Sequence, residues 1–291
     1  MQVFIAVCEE RGFVANRWSS IGKPMRDLRD GAALRKRPAF DKYAQPSPMI
    51  AHSHRYVVNN IAISRQATAG SEMNAVAKEA VGEIYDIEAM RHAQAMTWKA
   101  IDQVSERIKP GMLESEAVAL GKQVLAELDS QRIWHPMLIR FGANTLKTFK
   151  QRSDGDPALG EDDIYFIDMG AVWQGHEGDA GATFTTGNDP EMQACAAAAK
   201  TLFEVVEQRW KTASVEGIEL YRFAQEQVAA MGWTLNLEIK GHRVCDFPHA
   251  IYRGGNLGDF DGVPNPGLWI LEIQLAHPSK PYGAFYEDLL A

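Results

Sequence analysis

The sequence predicts an α+β fold in which a helix–helix–strand unit occurs twice. Segment 90–104 (MRHAQAMTWKAIDQV) has a counterpart at 192–206 (MQACAAAAKTLFEVV), and 110–128 has one at 215–231, an offset of roughly a hundred residues. Short runs rich in β-branched and aromatic residues, DDIYFIDMGAVW and LWILEIQL, follow the paired helical segments. A supersecondary unit repeated once implies a pseudo-twofold domain with a site at the join of its halves.

The elements follow in order. Residues 1–75 carry 11 Lys and Arg against 6 Asp and Glu, although the whole chain has a net charge of −8. They show turn residues (RWSSIGKPMRDLRDG, AQPSPMIAHSHR) and no sustained period, so they read as a basic irregular extension ahead of a domain at 76–291. The run Arg35-Lys36-Arg37 within them reads as solvated charge. The first helix places Met90, Ala93, Thr97, Ile101 and Val104 on one face, with Asp86 as N-cap and Lys109-Pro110-Gly111 as its end. SEAVALGKQVLAEL predicts a second helix, and WHPMLIRFGANT a strand running into a turn. DDIYFIDMGAVW and GATFTT predict a hairpin, with His176 exposed at its turn, and TLNLEIK predicts a strand ahead of KGHRVCDFPH.

Composition excludes several classes. At 46% hydrophobic and 23% charged the chain can bury a full core, and its acidity argues against a nucleic-acid surface. No stretch reaches the roughly 18 apolar residues of a membrane span, and no signal-peptide pattern opens the chain. Three scattered cysteines (Cys8, Cys195, Cys245) read as reduced thiols of a cytoplasmic protein.

The chemistry lies in acidic residues placed where burial is expected. Asp168 follows the apolar run Ile164-Tyr165-Phe166-Ile167, and Asp179 lies eleven residues on, so the two can share one side of a hairpin. Glu272 sits in LWILEIQL and Glu287 in GAFYEDLL. Four buried carboxylates are very costly unless something cationic offsets them. A pair of divalent cations about 3.5–4 Å apart around an activated water does so, and it accepts a histidine ligand. Two candidates, His242 and His249, lie seven residues apart; strand alternation puts an odd separation on opposite faces, so a loop must intervene for them to converge.

These residues resemble the metallopeptidase group of methionine aminopeptidase, prolidase, aminopeptidase P and creatinase, with its pita-bread fold. That family's ligands run Asp, Asp, His, Glu, Glu. Asp168 before Met169-Gly170, Asp179 in GDAGATF, Gly241-His242 through His249, Glu272, and Gly283 through Glu287-Asp288 are similar to its motifs in the same order, over about residues 85–291. The resemblance implies that Asp179 and Glu287 bridge two ions (Mn, Co, Zn or Fe). Asp168 then holds one ion, and His242 with Glu272 the other. It also implies that Glu272 takes a proton from water and that His249 hydrogen-bonds the substrate carbonyl or oxyanion. Methionine-aminopeptidase spacing would instead make His249 the ligand and put Asn256 where a substrate histidine belongs. The prolidase-like spacing uses both histidines and fits the gap from Glu272 to Glu287.

Several family positions differ. Lys150 and Gln151 stand where a histidine precedes the first aspartate, Ala182 and Phe285 stand for arginines, Ile273 for a proline and Ala250 for a glutamate. The four residues after Glu287 predict a short final strand. The intact ligand set implies a dinuclear metal-dependent hydrolase of a small peptide or amide, of the Xaa-Pro dipeptidase or aminopeptidase type, and the altered surrounding shell implies altered or lost peptidase specificity. The alternatives are a non-peptidase enzyme of the same fold, either a creatinase-like C–N hydrolase or a lyase, or a non-catalytic binding module. Expected partners are the small substrate and a second copy of the chain, with neither nucleic acid nor membrane.

Overall fold

The structure, a computed structural model, describes residues 77–291. The basic extension, Cys8, His52 and His54 therefore lie outside the described residues. Helix α1 (Ile87–Ser105) starts where the Asp86 carboxylate accepts the Glu88 and Ala89 amides, each at 2.9 Å. It stops at Ser105, short of Lys109-Pro110-Gly111, because the Arg107 and Ile108 amides turn back onto the Val104 carbonyl. Its buried face is Met90, Ala93, Gln94, Thr97, Ala100, Ile101 and Val104. Helix α2 (Glu114–Glu127), strands β1 (Arg132–Ile133) and β2 (Leu138–Phe141), and the long strands β3 (Asp163–Trp173) and β4 (His176–Thr186) complete the first half. Gln174 and Gly175, with φ of 52° and 73°, make the two-residue turn between β3 and β4.

The second half is α3 (Pro190–Ala213), α4 (Gly217–Met231), β5 (Thr234–Leu235), β6 (His242–Arg243), β7 (Trp269–Ala276) and β8 (Gly283–Leu289). The strand expected across TLNLEIK is only Thr234–Leu235. Asn236 ends it by accepting the Glu238 amide on its own side chain at 3.0 Å, a local bond that replaces the ladder. The final strand is not short: β8 pairs with β7 from Gly283 to Leu289. His176 is also not the exposed turn residue expected. It is buried, and its Nε2 accepts the Asp86 amide at 2.9 Å, because the segment entering α1 covers the hairpin tip.

All the described strands join one antiparallel sheet of order β1-β3-β4-β8-β7-β5, with β2 also on β3 and β6 also on β7. Alternation sorts its two faces. Ile167, Met169, Ala171 and Ala180 pack with α1 and α2; Leu271, Ile273, Leu275 and Ala284 pack with α3 and α4. Gly178 is needed on this face, since a Cβ there would lie 2.3 Å from the Ala93 carbonyl oxygen. α1 therefore rests on the backbone of β4. The opposite face of the same strands carries the acidic residues.

Candidate metal centre

Sheet register gathers the carboxylates. Asp168 lies opposite Gly181, Gly181 opposite Glu287, and Glu287 opposite Glu272, so one row crosses β3, β4, β8 and β7. Asp179 is two residues from Gly181 and shares its face. All four acids are buried, with relative exposures of 8% for Asp168, 1% for Asp179, 8% for Glu272 and 2% for Glu287. Like charges directly across a ladder repel, so this row needs compensation.

Each half holds one acidic strand by its backbone. Gln94 of α1 donates to the Asp179 carbonyl at 2.5 Å and accepts the Asp179 amide at 2.9 Å. Tyr221 of α4 donates to the Glu272 carbonyl at 2.8 Å and accepts its amide at 3.2 Å. A polar side chain thus fills the main-chain bonds of an acidic residue in both halves, on opposite sides of the centre.

Histidines complete it. His242, at the start of β6, lies opposite Ile270, two residues before Glu272. Its Nδ1 donates to the Arg243 carbonyl at 2.9 Å, and its Nε2 is 3.0 Å from Asp179 Oδ2. His249 leaves the strand for a 3-10 turn and comes within 6.1 Å of the His242 ring. It does not touch the aspartates. Its Nδ1 is 2.8 Å from Glu177 Oε2, and its amide donates to Glu177 Oε1 at 3.1 Å. A further imidazole, that of His135 between β1 and β2, places Nε2 2.9 Å from Asp179 Oδ1 and 3.7 Å from Asp168 Oδ1. Trp134 stands among all three rings, with centroids 4.4, 5.8 and 5.2 Å from His135, His242 and His249. The cavity over these groups measures about 280 Å³ and is walled by Trp134, Phe149, Lys150, Ile239, Lys240 and Asn256.

Without metal, protons and imidazolium charge balance the acids. Burial raises Asp168 to about 6 and Glu272 to about 7 against the pull of the histidines, and burial together with Asp179 pushes Glu287 well above the carboxylate range. Burial also acts to raise Asp179, but His135 and His242 outweigh it and hold that group at about 2. Burial disfavours charge on the two imidazoles, yet Asp179 wins and lifts His135 to about 10 and His242 to about 9.

The donor set fits divalent ions. One ligand atom each from Asp179, His242 and Glu287 lies within 4.8 Å of the others, as does one each from His135, Asp168 and Asp179. Glu287 Oε1 is buried and lacks a hydrogen-bond partner, an orphan acceptor of the kind an ion satisfies. Sequence reasoning missed Glu177, although an even separation from Asp179 put it on the acidic face. It also passed over Gln94, the one amide among the apolar positions of α1. Nothing local marks His135 as part of the centre, since β1 and β2 reach β3 only in the folded sheet.

The description "Metallopeptidase family M24" matches residues 88–288. The fold is similar to X-Pro aminopeptidase of Thermotoga maritima, at 18% identity and a TM-score of 0.59 over 76% of this chain and 60% of that one. It is similar to prolidase of Pyrococcus furiosus, at 19% identity and a TM-score of 0.58 over 73% and 62%. Methionine aminopeptidase of Thermotoga maritima gives 17% identity and a TM-score of 0.51 over 69% and 90%. The chain thus spans about 60% of the length of the first two. No curated protein sequence matches it. Among the described residues no helix is long and apolar enough to cross a membrane. A match over more than two thirds of the chain, on a sheet that gathers the acidic residues of the expected ligand order, places this protein in metallopeptidase family M24.

Proposed function

We propose that the protein is a two-metal hydrolase of small peptides, cleaving an Xaa-Pro or amino-terminal peptide bond. The observation that carries this reading is Asp179, a buried carboxylate with an imidazole on each oxygen, next to the orphan Oε1 of Glu287. In this reading Asp179 and Glu287 would be shared by two ions, with manganese among the candidates; Asp168 would hold one and His242 with Glu272 the other. When bound, such ions supply Lewis acidity, which brings the pKa of water toward neutrality and polarises a carbonyl. Glu272 is the proton acceptor, at the edge of the cavity. His249 directs Nε2 at the substrate carbonyl, because Glu177 occupies its Nδ1, and the ring donates there in its doubly protonated form, since a carbonyl only accepts. The relatives' names, X-Pro aminopeptidase and prolidase, support the substrate class.

One observation favours a second reading, a non-peptide C–N bond as substrate. Where the family resemblance puts a guanidinium two residues before Glu287, Phe285 is buried 5.1 Å from the ring of Phe166. That position is apolar and carries no cation.

Metal analysis of the purified protein, with turnover of Xaa-Pro dipeptides and Met-Ala peptides, tests both. Two ions and Xaa-Pro turnover support the first. Two ions with neither peptide cleaved transfer support to the second, and no metal overturns both. Glu177→Gln is expected to lower kcat about 10- to 100-fold, the usual cost of losing an orienting partner, with metal content unchanged. Steady-state kinetics on the metal-loaded variant measure it, and an unchanged kcat removes His249 from the mechanism.

A further inference from the structure

We propose that His135 is a sixth protein ligand of this centre, binding through Nε2 the ion held by Asp168 and Asp179, so that each of the two ions carries one imidazole. The inference rests on the two-metal reading above and assigns a ligand outside the Asp, Asp, His, Glu, Glu set. His242, the histidine of that set, has Nδ1 2.9 Å from the Arg243 carbonyl and Nε2 3.0 Å from Asp179 Oδ2. His135 repeats this on the other oxygen, with Nδ1 3.0 Å from the Pro136 carbonyl and Nε2 2.9 Å from Asp179 Oδ1. A carbonyl only accepts, so Nδ1–H is the donor in both rings, and Nε2, which holds a proton toward Asp179 in the metal-free protein, is the nitrogen that binds an ion displacing that proton. A backbone carbonyl on the outer nitrogen is the usual support of a metal-bound histidine.

The surroundings hold the ring in place. Trp134 meets it edge-on at a centroid distance of 4.4 Å and is itself anchored by its Nε1–H on the Gly178 carbonyl at 3.1 Å. The sheet leaves the slot empty for it: a Cβ on Gly170, directly opposite Asp179 in the β3–β4 ladder, would lie 2.2 Å from His135 Cδ2. His135, Asp168 and Asp179 then form a complete three-residue ligand group, as Asp179, His242 and Glu287 do. The chemical consequence is selectivity. An imidazole on the Asp168 ion moves that site from an all-oxygen set, suited to Mn or Mg, toward Zn, Co and Fe(II).

The test counts imidazoles. Electron spin-echo spectroscopy of the Mn(II)-loaded wild type, with histidine uniformly 15N-labelled, should detect two coordinated imidazole nitrogens per pair of ions. His135→Gln should detect one. Zinc calorimetry of the same variant should show one of two sites weakened by more than the 10- to 100-fold that loss of an outer-shell partner causes, with the other held within about twofold. Gly170→Ala should have the same effect by displacing the ring while leaving every donor in place. Two bound ions with only one coordinated imidazole in the wild type overturn the inference and leave the two-metal reading standing, whether or not either variant folds. So do two sites of unaltered affinity in a folded His135→Gln. A wild type that binds no metal overturns both.

Discussion

Asp179→Ala is expected to lose both ions and to lower turnover about a thousandfold or more. The reason is position. Among the described residues Asp179 is the one acid whose two oxygens face the His135 and His242 imidazoles, and it also lies within ligand distance of Asp168 and Glu287. Removing it takes a ligand from each ion at once, whereas Asp168→Ala should cost only one. The several kcal/mol of charge stabilisation that a catalytic metal supplies, taken as about 4, corresponds to about a thousandfold in rate. Asp179→Asn keeps the side-chain volume and the contact of Gln94 with the backbone, so its folding can be compared with wild type by circular dichroism. Metal analysis and peptide turnover on both variants decide the matter. A variant that keeps two ions and its activity shows that the centre lies elsewhere.

Acidification is expected to weaken metal loading steeply. In the metal-free protein His242 is raised to about 9 and His135 to about 10, so both imidazoles carry protons at pH 7.5. An ion must displace those protons. Each displaced proton changes affinity tenfold per pH unit, so the overall affinity for the pair of ions should rise about a hundredfold per unit between pH 7.5 and 8.5. The sign follows from the raised values: protons compete more strongly as pH falls. Below about 7 Glu272 joins the competition, and below about 6 Asp168 does, so the slope steepens on the acid side. Asp179, held at about 2, contributes nothing to it. Calorimetric titration of zinc in buffers of different ionisation enthalpy at pH 7.5 measures the protons released. Release of none, with affinity flat in pH, would sink the assignment of His242 and His135 as ligands.

How far the centre was legible depended on the range of the forces that build it. Asp168, Asp179, Glu272 and Glu287 could be found because each interrupts an apolar strand, where only a specific counter-charge makes a carboxylate tolerable. His176 was misread because its burial comes from the Tyr85–Asp86 segment, some ninety residues away in sequence. The strand expected at TLNLEIK failed because Asn236 offered the chain a local bond in place of the ladder.

The sequence by itself determined the apolar helix faces, the hairpin strands β3 and β4, the strand of LWILEIQL, and the identity and order of the four acids. These follow from periodicity and from desolvation cost, which act residue by residue. Tertiary structure alone decided the register that lines up Asp168, Gly181, Glu287 and Glu272, the grips of Gln94 and Tyr221, and the partnership of Glu177 with His249. It alone also brought His135 to Asp179, across 44 residues of chain. Pairing between strands remote in sequence sets those distances, and only the packed sheet fixes that pairing.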